Sequence, residues 1–221
     1  MGRIIIFLTI LIALASQIVV NDTNAQSSST WRTRVGNPIV SADGLLGTGL
    51  TIKAAYDKCA SGDTHEPPAS LTCLRTELGR LGMEQSQIDA FSANYNSRKV
   101  GSPSGRSAPC IQCLGFVGLV LSTHTGNDSL QQGSAKEVAG LQSFTAGSTV
   151  FQRLSQGTPP QPGDVAAHGG GTWGHIAIVK EVVGNVSFIA LESNGDGVRC
   201  WITDDRQLLT DQYGYVFFRA Q

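Results

Sequence analysis

Five cysteines and four histidines lie along the 221 residues, and Cys113 and His175 have the surroundings of a nucleophile and its base. Cys113 follows Pro109-Cys110-Ile111-Gln112 and opens an apolar run (Leu114, Phe116, Val117, Val120, Leu121) with the spacing of a buried helix. A helix N-terminus stabilises a thiolate through the positive end of its dipole, and a neighbouring imidazolium stabilises it further. The thiolate is the reactive form of cysteine, so a nucleophilic cysteine belongs at such a place. The plain structural alternative is a buried cysteine on an apolar helix.

His175 begins an apolar run reaching Val183, a second run covers 186–193, and Gly184-Asn185 lies between them. Such a pair predicts a two-residue hairpin turn. On that register Val183 pairs with Val186, Ala177 faces Glu192 and His175 faces Asn194. Side chains alternate along a strand, so His175, Glu192 and Asn194 share one face. Directly opposed Cβ atoms sit about 4.5–5.5 Å apart and diagonal ones roughly 7–8 Å. An imidazole with an amide across from it and a carboxylate one diagonal step away is a base with orienting partners. The same face carries Ala177, Val179, Phe188 and Ala190, and is expected to receive the helix that starts at Cys113.

Other chemistries fit less well. Cys110-Ile111-Gln112-Cys113 has redox C-x-x-C spacing but lacks a βαβ context. His168 and His175 flank a triglycine loop, and no second C-x-x-C completes a zinc set. His168 reads as a loop residue near the cleft, His65 falls in a polar loop, and His124 lies near the end of the Cys113 helix. No metal or cofactor is called for. The formal net charge of −1 gives no electrostatic reason to propose a nucleic-acid partner.

A packed scaffold must hold these residues, and with 41% apolar and 15% charged residues the chain can build one. Met1-Gly2-Arg3 followed by Ile4–Ala15 reads as a signal peptide over 1–25, with small residues at Thr23-Asn24-Ala25. The chain is then secreted, or periplasmic or at the cell surface. Ile18-Val19-Val20 leaves open an uncleaved N-terminal segment, the one membrane attachment the sequence suggests. Residues 26–104 read as a linker, to about 48, followed by a helical region. One helix is expected near 51–59. Another carries Leu71, Leu74, Leu78 and Leu81, and a third carries Ile88 and Phe91. Gly62 and Pro67-Pro68 break the first two apart. Ser134 and Glu137 form a capping-box pattern that opens a short helix. Strands are expected at 164–167, 175–183, 186–193, 198–203 and 214–219. Helices followed by consecutive strands argue for an α+β fold with an antiparallel sheet.

With these pieces in place, residues 105–221 resemble a CHAP domain (cysteine, histidine-dependent amidohydrolase/peptidase) of the NlpC-type papain-like group. The resemblance rests on Gln112-Cys113-Leu114-Gly115-Phe116-Val117, Pro162-Gly163-Asp164-Val165, Gly174-His175-Ile176-Ala177-Ile178-Val179, Glu192-Ser193-Asn194 and Gly214-Tyr215-Val216. It implies a papain-like fold, with a catalytic helix packed on an antiparallel sheet and a helical N-terminal extension. It implies Cys113 as nucleophile, His175 as base, and Glu192 or Asn194 as the orienting residue. The implied substrate is bacterial peptidoglycan, cut either as an N-acetylmuramoyl-L-alanine amidase or as a peptide-stem or bridge endopeptidase. The oxyanion would be held by the backbone N–H of Cys113, with Gln112 as a second substrate contact. Trp173, beside His175, is expected either to stack on a sugar or cover the cleft, or to serve as a core or loop anchor. The rival reading is a non-catalytic wall-binding or adhesion protein that keeps the fold, although such a protein has no use for an unpaired thiol.

Export permits disulfides, and an odd number of cysteines leaves one thiol free. Cys59 and Cys73 flank the helical break, where a bridge closing about 15 residues contributes ~3 kcal/mol in the loop-entropy model. Setting Cys113 aside leaves Cys110–Cys200 as the second expected pair. A Cys110–Cys113 bridge is the competing arrangement.

Overall fold

The computed structural model describes residues 42–60, 69–100, 110–127, 130, 133–193, 202–211 and 213–221. The expected signal peptide, Asn194, Cys200 and the side chain of Cys110 lie outside the described residues, and with them the expected Cys110–Cys200 bridge. Among the described residues no helix is long and apolar enough to cross a membrane.

The chain begins with three helices, α1 (Ala42–Cys59), α2 (Leu71–Arg80) and α3 (Gln85–Tyr95). The first starts earlier than expected because glycines disguise its apolar stripe. Leu45, Ile52 and Ala55 are buried, and a Cβ on Gly49 would come within 2.6 Å of Leu191. Gly49 is therefore what lets the helix lie close to the sheet. Leu74 and Leu78 form the buried stripe of α2. Tyr95 at the end of α3 donates to the Ala69 carbonyl at 2.8 Å, joining the two helices' outer ends. Cys59 and Cys73 are bridged as expected, with Cα atoms 5.7 Å apart.

A short ribbon, β1 (Lys99–Val100) and β2 (Cys110–Ile111), leads into α4 (Cys113–Thr125). Residues Phe116 to Thr123 of α4 are all buried, as an all-apolar helix must be. Its end is closed by Gly126 at φ 85°, whose N–H reaches the Ser122 carbonyl at 2.8 Å. The capping box of α5 (Ala135–Ala139) forms as the sequence predicts.

Seven antiparallel strands follow: β3 (Ser143–Ala146), β4 (Thr149–Arg153), β5 (Val165–His168), β6 (His175–Val183), β7 (Ser187–Ser193), β8 (Ile202–Leu209) and β9 (Val216–Ala220). Their order is β3-β4-β9-β5-β6-β7-β8. The fold is thus α+β with an antiparallel sheet, as the order of elements predicts. The hairpin β3–β4 is not anticipated from the sequence. Its strands are short, and its main signal is the stacked Phe144–Phe151 pair, 4.9 Å between centroids. Of the strand expected at 198–203, residues 198–201 lie outside the described residues, and the described strand runs from Ile202 to Leu209. As an edge strand it leaves Asp205, Arg206 and Gln207 exposed, so its polar sequence hides it.

The β6–β7 hairpin differs from the expected register in two places, and the differences cancel. The turn has three residues, since Val183 pairs with Ser187. A bulge between Val179 and Glu181 then removes one residue from the count, and Val179↔Ala190 and Ile178↔Leu191 pair as predicted.

The helix packs on the other sheet face from the one expected. Phe116, Val117 and Val120 share a core with Ile176, Ile178 and Leu191, and with the buried residues of α1, α2 and α3. The face with Ala177, Val179, Phe188 and Ala190 belongs to a second cluster with Ala166, Leu208 and Phe217. Ala166 and Ala177 on the middle strands leave room for Phe188 and Phe217 to meet edge to face, 5.5 Å between centroids. This aromatic closure takes the place reserved in the sequence reading for the helix.

Candidate active site

Cys113 is the first residue of α4, behind Gln112 in an extended conformation and without a side-chain cap. The helical ladder begins with Phe116 N–H to the Gln112 carbonyl at 2.8 Å. The N–H groups of the preceding turn, Cys113 included, therefore have no intrahelical acceptor. Gly115 is required here, because a Cβ would come within 2.8 Å of the Arg98 carbonyl. Arg98 is itself buried and donates to the Leu130 carbonyl at 2.8 Å. The start of the helix is thus wedged against fixed backbone.

His175 is the first residue of β6 and is buried. Gly174, at φ 72°, delivers it; a Cβ there would lie 2.3 Å from the His168 carbonyl and 2.5 Å from the Lys136 nitrogen. The loop is held by Lys136 N–H donating to the Trp173 carbonyl at 2.9 Å.

Glu192 hydrogen-bonds the imidazole, and the Cys113 thiol lies near enough to the ring to favour its charged form. Glu192 accepts from Nε2 through Oε2. Burial works against a charged ring, but Cys113 and Glu192 outweigh it and push the His175 pKa up to about 9. Cys113 packs on the helix side of the sheet while His175 shares the other side with His168. They meet because each stands at the end of its element. Glu192 is fully buried, and its Oε1 accepts from Arg206 Nη1 at 3.1 Å.

His168 ends β5 as the cross-strand partner of His175, with ring centroids 6.0 Å apart. Gly170 N–H donates to its Nδ1 at 3.0 Å, which fixes the ring proton on Nε2. Burial, then the charges of His175 and Arg206, hold its pKa below the ordinary value. Tyr213 stacks on the ring at 4.8 Å and Tyr215 meets it edge-on at 4.7 Å. The Tyr215 hydroxyl is pushed up, first by burial and then by Glu192.

Of the residues singled out from the sequence, Cys113, His175 and Glu192 come together. Gln112 is half-buried beside the cysteine. Trp173 is 73% exposed, so its side chain is not part of the core. Asp164 of the Gly-Asp-Val motif lies at the other end of β5, where it takes a two-pronged bond from Arg219 at 2.9 and 2.8 Å and fixes the strand. Among the described residues the free cysteine is Cys113. His124 is engaged elsewhere, with Nδ1 3.0 Å from Thr48 Oγ1.

Sequence reasoning missed Arg206 and Ser193. The first sits on the disguised edge strand. The second lies between Glu192 and Asn194, and strand alternation could have placed it on the helix side, where its hydroxyl donates to the Ile111 carbonyl at 2.6 Å.

No curated protein matches the chain. A thiol at a helix start, an imidazole and a buried carboxylate, in that order along the chain, are the residues a cysteine- and histidine-dependent amidohydrolase needs. The span that carries all three, residues 103–194, matches the family model of the CHAP domain.

Proposed function

We propose that the protein is an exported cysteine hydrolase that cleaves amide bonds of bacterial peptidoglycan. The observation that carries this reading is the chain Cys113–His175–Glu192, with the thiol at the uncapped start of a helix. The CHAP match, in a family of cysteine- and histidine-dependent amidohydrolases, supports the reaction class and the substrate class.

In this reading the Cys113 thiolate attacks the amide carbonyl, and the free N–H groups at the start of α4 stabilise the oxyanion. His175, as imidazolium, gives its proton to the leaving amine as the C–N bond breaks, which leaves a thioester on Cys113. The neutral ring then takes a proton from water, which attacks the thioester and releases the acid and the thiolate. Glu192 keeps the ring oriented throughout. Gln112 and the exposed Trp173 are the substrate contacts. The bond cut is either the lactyl–L-alanine amide or one in the peptide stem or bridge. Zymography of the purified protein on bacterial walls, beside Cys113→Ala, tests the reading. Clearing by wild type and none by the variant is expected. A wild-type protein that binds walls without clearing them would favour the adhesion reading.

A further inference from the structure

We infer that Arg206 is a positioning residue, which holds the carboxylate of Glu192 in the orientation that serves His175. The inference rests on the reading of Cys113 and His175 as nucleophile and base. Glu192 is fully buried, and its two oxygens have different donors. Oε2 accepts from His175 and Oε1 from Arg206 at 3.1 Å. A carboxylate is planar, so fixing one oxygen fixes where the other points. The guanidinium therefore sets the aim of the atom that orients the base.

The backbone is arranged for this contact. Arg206 pairs with Ala190 across β7 and β8, and the register shifts between Ala190 and Glu192. Ala190 and Glu192 share a face, so the arginine reaches the carboxylate as a diagonal neighbour. The other titratable groups around the ring and carboxylate are Cys113 from α4, His168 at the end of β5, and Tyr213 and Tyr215 ahead of β9. Among the described residues none of these donates to Oε1. Without the guanidinium a buried carboxylate oxygen loses its donor, an unfavourable state. The carboxylate is then free to turn away, which weakens its hold on the imidazolium.

The test uses the full chain as wild type, Arg206→Gln and Arg206→Lys. The readouts are peptidoglycan hydrolysis as a function of pH and the rate of Cys113 alkylation by iodoacetamide at neutral pH. Alkylation needs no substrate and reports the imidazolium–thiolate pair. Arg206→Gln is expected to lower kcat and the neutral alkylation rate about tenfold, the lower end for losing an outer partner of a functional histidine. KM should hardly move, and the alkaline limb of hydrolysis should shift to lower pH. Arg206→Lys should recover part of each loss. Alkylation in Arg206→Gln equal to wild type, or a loss confined to KM, overturns the inference; the latter would make Arg206 a substrate contact. A fall in thermal stability with both profiles unchanged also overturns it. If His175→Ala leaves the wild-type alkylation rate unchanged, the underlying assignment of nucleophile and base fails instead, whatever Arg206 does.

Discussion

The Ser193 hydroxyl donates to the Ile111 carbonyl at 2.6 Å, so the strand that carries Glu192 is tied to the backbone two residues before Cys113. Both groups are buried, and the bond joins the two arms that bring Cys113 and Glu192 together. Ser193→Ala should cost about 1–3 kcal/mol of stability, because it strands a buried carbonyl. It should also lower kcat more than KM, since the helix start loses its register against His175. Urea melts and steady-state kinetics check this; unchanged kcat in a destabilised protein would leave the bond a purely structural one.

Cys113→Ala and His175→Ala should each abolish hydrolysis while the fold persists. Residues that act as a unit are non-additive, so the double variant should be no worse than either single one. Hydrolysis above a few per cent of wild type in a folded Cys113→Ala protein would end the cysteine-nucleophile reading.

The meeting of Cys113, His175 and Glu192 was legible because it depends on short-range rules: a helix opening at a cysteine, and strand alternation. The hairpin reading agrees with the structure only at Val179↔Ala190 and Ile178↔Leu191, through two departures that compensate. Val186 joined the turn and the bulge near Lys180 restored the register, and neither has a local sequence signal strong enough to read. The packing of the sheet was not legible. Which face receives α4 depends on whether small residues such as Ala166 and Ala177 let Phe188 and Phe217 close over them. That is a contact between strands distant in sequence. Arg206 escaped for a similar reason, since Asp204-Asp205-Arg206-Gln207 reads as a solvated surface until the neighbouring strand supplies a buried carboxylate.

The Cys59–Cys73 bridge ties the end of α1 to α2, and both helices contribute to the core shared with α4. Replacing both cysteines with alanine should cost about 3 kcal/mol by the loop-entropy account, visible as a lower unfolding midpoint. Alkylation without reductant, read by mass spectrometry, should label Cys113 and spare Cys59 and Cys73. A Cys113 found in a crosslink to Cys110, with activity restored by reductant, would replace the free nucleophile with redox control.

The pH dependence follows from His175. Burial opposes charging the ring, yet Cys113 and Glu192 raise its pKa from the ordinary 6.5 to about 9. The imidazolium therefore persists through neutral pH, and in the proposed mechanism it is the form that protonates the leaving amine. Hydrolysis should fall as pH passes through about 9. Stability carries the same sign. A pKa raised on folding favours the folded state, fully below about 6.5, and that contribution is lost as pH rises to about 9. Glu192→Gln removes the carboxylate from Nε2, so both the activity limb and the stability loss should move down toward 6.5. The checks are pH profiles of kcat/KM and urea melts across that range, for wild type and variant. A wild-type alkaline limb already at the ordinary histidine value, or one that Glu192→Gln leaves in place, would show that the carboxylate does not support the charged ring.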